Sequence, residues 1–128
     1  MNTRIYTQVY THQVQTGDIT NENVKIFFKS GLSYLKEKTI KAITINYDTF
    51  NIGTTATGYL TLVDSNHNTI LYNYPFRDLH GTTKSFPLRL RLFNLKNIEL
   101  QNSYFFYRNL INPITAGKLF DINFYFED

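Results

Sequence analysis

Arg77-Asp78-Leu79-His80 sets a cation, a carboxylate and an imidazole side by side, with Thr82, Thr83 and Ser85 close behind. Hydroxyl, imidazole and carboxylate are the parts of a hydrolytic triad, in which the acid orients the base and the base activates the nucleophile. Triads are assembled by tertiary geometry, however, and no G-x-S-x-G turn presents a serine here. A polar interface loop is the plainer reading of this stretch. Asp64-x-Asn66-x-Asn68 copies the opening ligand spacing of a calcium loop, but Thr69 stands where the glycine is needed and Pro75 where the bidentate glutamate is needed. Asp and Asn are standard turn residues, so a hairpin loop is expected there. His12, His67 and His80 form no H-x-x-x-H or H-E-x-x-H pair, and they read as a strand residue, a loop tip and a loop residue. No glycine-rich phosphate cradle is present, and the acids are scattered without a pairing signal. The expectation is therefore a protein that is not an enzyme, with no catalytic residues, no metal and no cofactor.

Two side-chain types remain in surplus. Tyr6, Tyr10, Tyr59, Tyr72, Tyr74, Tyr104, Tyr107 and Tyr125 are too many for one small core, so some belong at an interface or on a surface that stacks against sugars or bases. Lys25, Lys29, Lys36, Lys38 and Lys41 cluster in the first third of the chain, opposed locally by Glu37 alone. That cluster suits either an anionic partner or a solvated edge that resists aggregation, and the second is the simpler account. A net charge of +3 is mild.

The elements that must position these groups are strands. The 128 residues fit a single domain, 1–128, long enough to bury a core without staples. Hydrophobic content of 42% and aromatic content of 16% exclude a disordered chain. Cysteine is absent, which removes disulfides and thiolate metal sites and favours a reducing compartment. Met1-Asn2-Thr3-Arg4 runs into an alternating segment without the apolar stretch of a secretory signal, and no run approaches the length of a membrane span.

The clearest element is the last, Leu119 to Phe126. Phe120, Ile122, Phe124 and Phe126 share one parity, while Asp121, Asn123 and Glu127 share the other. Burying four such side chains contributes roughly 6–12 kcal/mol at about 1.5–3 each. Earlier strands are expected at 4–15, 24–29, 40–50, 58–63, 69–74, 85–93 and 98–107, the last with a bulge at Gln101-Asn102-Ser103. In the first, Ile5, Thr7, Val9 and Thr11 oppose Tyr6, Gln8, Tyr10, His12 and Val14. Neither face is strongly polar, which suggests core on one side and a partner on the other. In the sixth, Leu88, Leu90 and Leu92 face in, Arg89 and Arg91 face out, and Asn94-Leu95-Lys96-Asn97 turns. Leu32 and Leu35 fit one helical turn, too short for a secure helix.

Eight short strands separated by polar turns mean an all-β, single-domain antiparallel β-sandwich or barrel. The uneven loops at 16–22, 75–83 and 108–118 argue against an up-and-down barrel, leaving a jelly roll. In that arrangement the last strand lies between the first and the third.

The segments Ile40-Lys-Ala-Ile-Thr-Ile-Asn-Tyr-Asp and Gly58-Tyr-Leu-Thr-Leu-Val-Asp, with the endings Asn102-Ser-Tyr-Phe-Phe-Tyr and Phe120-Asp-Ile-Asn-Phe-Tyr-Phe, give the chain its likeness. It resembles the single jelly-roll capsid components of bacterial viruses, of the penton (vertex) or capsid-decorating type. The resemblance implies a virion protein assembled in the host cytoplasm, a homo-oligomer (pentamer or trimer), and contact with a major capsid protein. The interface candidates are Arg77, Asp78, His80, Arg89, Arg91 and Arg108. A carbohydrate- or cell-surface-binding sandwich that uses exposed tyrosines is the alternative, and a single-stranded nucleic-acid binder that uses the lysines is a third. Deleting the chain from Lys118 onward is expected to leave it insoluble on expression; a soluble, folded truncation overturns the core role of the last strand.

Overall fold

The structure, a computed structural model, describes residues 4–18, 24–29, 31–46, 57–79, 92–108, 116–117 and 119–127. Its strands are β1 (Ile5–Gln13), β2 (Ile26–Phe27), β3 (Thr39–Asn46), β4 (Thr57–Val63), β5 (Thr69–Pro75), β6 (Leu92–Lys96), β7 (Tyr104–Arg108) and β8 (Leu119–Glu127). They form two antiparallel sheets of four, ordered β1-β8-β3-β6 and β2-β7-β4-β5, which pack face to face as an all-β sandwich.

β8 is the centre of the first sheet. It pairs with all of β1, from Ile5↔Glu127 to Gln13↔Leu119, and on its other side with β3, from Thr39↔Glu127 to Asn46↔Asp121. The last strand thus lies between the first and the third, as the sequence leads one to expect. Ile122, Phe124 and Phe126 enter the core as their parity requires. Asn123 and Tyr125, on the opposite parity, are also buried. There Asn123 Nδ2 donates to Thr44 Oγ1 at 3.0 Å, and Thr44 Oγ1 lies 3.4 Å from the Tyr125 hydroxyl. The outer face at the middle of this sheet is covered, and its polar groups bond to one another, as buried polar groups must. The side chain of Phe120 lies outside the described part of β8.

A bulge between Ile40 and Ala42 interrupts both pairings of β3. It allows Ile40 and Ile43, three residues apart, to face the core together with Ile45. Phe28, just after β2, joins the sheets. Its ring centroid lies 4.9 Å from Tyr10 and 5.8 Å from Phe124 on one side, and 5.6 Å from Phe105 on the other. Leu32 and Leu35 seal one end of the core from a 3-10 turn at Ser33–Glu37, the single turn that their spacing fits.

Two elements differ from expectation. The sixth strand, expected at 85–93, runs past Phe93 to Lys96 and is described as Leu92–Lys96; 80–91, including Leu88, Arg89, Leu90 and Arg91, lie outside the described residues. The turn expected at 94–97 comes only at Asn97, at φ 58°. Ladder pairs Thr39↔Lys96 and Ile40↔Leu95, with Leu95 packed on the core, hold the chain extended past the expected turn. The seventh strand, expected from Ile98, begins at Tyr104. Ile98 instead makes an isolated bridge to Asp64, and Leu100–Asn102 forms a 3-10 turn. The buried Ser103 hydroxyl accepts from Val63 N at 2.9 Å and donates to Glu99 O at 3.2 Å, which satisfies a β4 amide that a continuous strand would otherwise have paired.

After β5 the chain makes a 3-10 turn at Phe76–Asp78 and buries Phe76 completely. Leu79 O then accepts from Ile45 N at 2.8 Å, tying this turn to the opposite sheet. Phe76 lies against Gly58 of β4: a Cβ at Gly58 would stand 2.3 Å from Phe76 Cδ2. Glycine is required there by close approach. Gly58→Ala is expected to cost about 1–3 kcal/mol by overpacking, and Phe76→Leu should relieve part of that cost. Denaturant melts of both single variants and the double measure the coupling; strictly additive losses overturn the contact.

Candidate functional site

Among the described residues, chemistry-bearing side chains meet at two places, one inside the sandwich and one on its outer surface. Inside, His12 on the inward face of β1 is buried and Nε2 donates to Asp18 Oδ2 at 2.8 Å. The 3-10 turn Thr16–Asp18 folds the carboxylate back, and the same oxygen accepts from Gln15 N at 2.8 Å. The imidazole meets the Phe105 ring edge-on at 5.1 Å. The pair locks the end of β1 to the turn behind it. Tyr107 and Tyr10 lie close enough to feel the Asp18 charge. Burial above all, then Asp18 and Tyr10, holds the Tyr107 hydroxyl well above its usual value near 10. Tyr10 is raised by burial and, less, by Asp18, against a lowering backbone hydrogen bond with Lys29.

The outer place is a cavity of about 350 Å³ on the exposed face of the β2-β7-β4-β5 sheet. β7 builds its floor. Phe105 and Tyr107 point into the core, so Tyr104, Phe106 and Arg108 point out. Register Tyr59↔Phe106 sets these two rings opposite one another, stacked at 5.1 Å and 22°. Register Phe27↔Tyr104 brings the Phe27 ring to 5.6 Å from Tyr104, and Lys25 Nζ stands 4.7 Å above the Tyr104 centroid, a cation–π contact.

β5 supplies the remaining wall through an irregularity. Leu60 pairs with Tyr74 and Leu62 with Leu71, so Tyr72 and Asn73 together oppose Thr61. Asn73 adopts φ 49°, a left-handed conformation that asparagine tolerates. Thr61 Oγ1 accepts from Asn73 N at 3.0 Å and lies 3.1 Å from Asn73 Oδ1, to which its proton can go. That locks the bulge and puts both Tyr72 and Asn73 on the cavity wall. Tyr72 is 72% exposed. Among the described lining residues Lys25 and Arg108 are the charged ones, and none carries a carboxylate.

The expected surplus of tyrosines is thereby sorted. Tyr10, Tyr107 and Tyr125 are buried, Tyr74 packs against the core, and Tyr6 stacks on Phe126 at 5.8 Å. Tyr59, Tyr72 and Tyr104 line the cavity. The lysine cluster disperses in space: Lys36 pairs with Glu99 at 3.1 Å, Lys41 approaches Glu127 and Asn94, and Lys25 alone reaches the cavity. Of the interface candidates, Arg108 lies on the cavity wall and Asp78 is exposed on the Phe76–Asp78 turn. His80, Arg89 and Arg91 lie outside the described residues, as do Thr82, Thr83, Ser85 and the side chain of Arg77. The 64–68 segment is a hairpin loop, its Asp64 Oδ1 accepting from Asn66 N and Asn68 N at 2.9 Å each. No described helix is long and apolar enough to cross a membrane. Comparison with known protein families, with curated proteins and with solved structures finds no match.

The raised phenols make the fold alkali-sensitive. Below pH about 10 the folded and unfolded chains both keep these protons; above it the unfolded chain loses them first, so stability falls as pH rises, by up to about 1.4 kcal/mol per pH unit for each retained proton. Melting temperatures should be insensitive to these groups at pH 8–9 and fall above pH about 10. Tyr107→Phe should fall less steeply, and a slope equal to that of the native chain contradicts the assignment.

Proposed function

We propose that this protein is a non-enzymatic structural component of a phage virion, a penton, minor capsid or decoration protein, acting through homo-oligomerisation and contact with a major capsid protein. The observation that carries the reading is the strand order. The order β1-β8-β3-β6 over β2-β7-β4-β5 supports a jelly-roll reading, the eight-stranded architecture of two Greek keys that recurs in viral capsid domains. The same architecture serves lectin domains and cupins, so architecture alone does not choose a function.

β1 adds weight to assembly. It is an edge strand of nine residues without a single charge, proline or glycine. Natural sheets guard such edges with lysine, proline or bulges, because unpaired amides and carbonyls recruit another chain. Ile5 and Val9, 43% and 45% exposed, stand on its outer face with Thr7 and Thr11, the pattern of a face reserved for a partner. The mechanism is shape: the β1 edge and outer face of one subunit bury against a different surface of the next, and the rotation closes a ring that docks on the shell.

Mass photometry and light scattering of the purified chain should find a discrete oligomer of five or three copies. Val9→Lys, at an exposed position, should shift it to monomer without changing its circular dichroism, and its melting temperature should lose its dependence on protein concentration. A strict monomer at high concentration that binds no capsid protein overturns the proposal.

A further inference from the structure

The geometry points to the cavity on the β2-β7-β4-β5 sheet as a binding site for a carboxylate-bearing pyranose, an acidic sugar of the uronic or sialic type. The described lining residues all belong to one chain, so the site is tested separately from assembly.

Size comes first. A cavity of about 350 Å³ sits at the lower end of the range for small-molecule pockets, room for one sugar ring and its substituents. A single-stranded nucleic acid needs a groove tracking several nucleotides, with open ring faces spaced along it. Here Tyr59 and Phe106 already stack on one another and Lys25 covers a face of Tyr104, so these rings form a closed platform and not a ladder of open stacking sites.

Polar chemistry comes next. Tyr59, Tyr72 and Tyr104 have no protein hydrogen bond among the described residues, and Asn73 bonds Thr61 through Oδ1 and N, leaving its Nδ2 donors without a described protein partner. Phenols that both donate and accept, and an amide that donates, suit a ring bearing several hydroxyls, while the exposed ring of Tyr72 suits its C–H face. Charge completes the assignment. Lys25 and Arg108 are the ionic groups among the described lining residues, and both are cationic, so an anion is favoured over a neutral sugar. Arginine can take a carboxylate through two parallel N–H···O bonds.

Calorimetric titration of the full-length chain tests this with four probes: glucuronic acid, its uncharged methyl ester, N-acetylneuraminic acid and sialyllactose. At least one acid should bind with a dissociation constant below about 10 mM, and the ester about tenfold more weakly than glucuronic acid if that is the ligand. Sialyllactose binding as well as or better than the free acid identifies a glycan terminus as the source, and binding of free acids alone identifies a soluble metabolite. Lys25→Ala and Tyr72→Ala, both at exposed positions, should each weaken binding about fivefold or more with unchanged melting temperature. No binding of any acid, equal affinity for acid and ester, or indifference to both substitutions overturns the inference. So does tighter, steeply salt-dependent binding of a deoxythymidine oligonucleotide, which would make the surface a nucleic-acid platform.

Discussion

Everything in this sandwich depends on the pairing of β8 with β1 on one side and β3 on the other. These pairings join the end of the chain to its beginning, so they carry the largest loop-closure cost in the molecule. Ile122, Phe124 and Phe126 offset that cost by entering the core against Phe28 and the β3 isoleucines. Once β8 is seated, β1 is fixed as an edge and β3 as an interior strand, and β6 can add outside β3. The second sheet is held to the first by the Phe28 ring cluster and by the bond from Ile45 N to Leu79 O. Pairing of such long sequence separation makes this a slow-folding topology.

The two sheets treat their outer faces differently. On the first, the centre is buried and its polar groups, Thr44, Asn123 and Tyr125, bond mutually, while the β1 flank exposes Ile5 and Val9. On the second, buried Phe106 supports half-buried Tyr59 and Tyr104 and an exposed Tyr72. One face therefore offers an uncharged edge for a protein surface, and the other a cationic aromatic hollow for a small ligand. The proposed virion role would use both, because an assembling subunit must bind its neighbours while keeping a face toward solvent.

Strands whose alternation runs unbroken were legible in the amino-acid sequence. β8, β1, β4 and β5 fall within a residue or two of their expected limits at one or both ends, and the single helical turn at Leu32–Leu35 and the Asp64 hairpin fall where local chemistry puts them. What period-2 reading cannot supply is register and its interruptions. The bulge at Lys41 buries Ile40 and Ile43 together, against simple alternation. The bulge at Asn73 places two consecutive residues on one wall, and nothing local in Tyr72-Asn73-Tyr74 announces it. The alternation of Leu88-Arg-Leu-Arg-Leu gives no sign that the sixth strand runs on past Phe93, where ladder partners on β3 keep the chain extended to Lys96. The cavity escaped for the same reason. Tyr59 and Phe106 are far apart in sequence, and only register brings them together; the lysines that looked like a cluster part company for want of a shared face. A surplus of tyrosine was the one available signal, and it told that a surface existed without telling where.

The ladder that begins at Ile5↔Glu127 has a further consequence for how the domain can be carried. Paired residues of antiparallel strands have Cα atoms only about 5 Å apart, so the two ends of the described chain emerge side by side at one corner of the first sheet. A domain with its ends so close can be spliced into a surface loop of another protein as readily as it can stand alone, because the host loop needs to open by little more than the width of one strand. The geometry that closes the fold thus also brings its two described ends together on the sheet opposite the aromatic hollow.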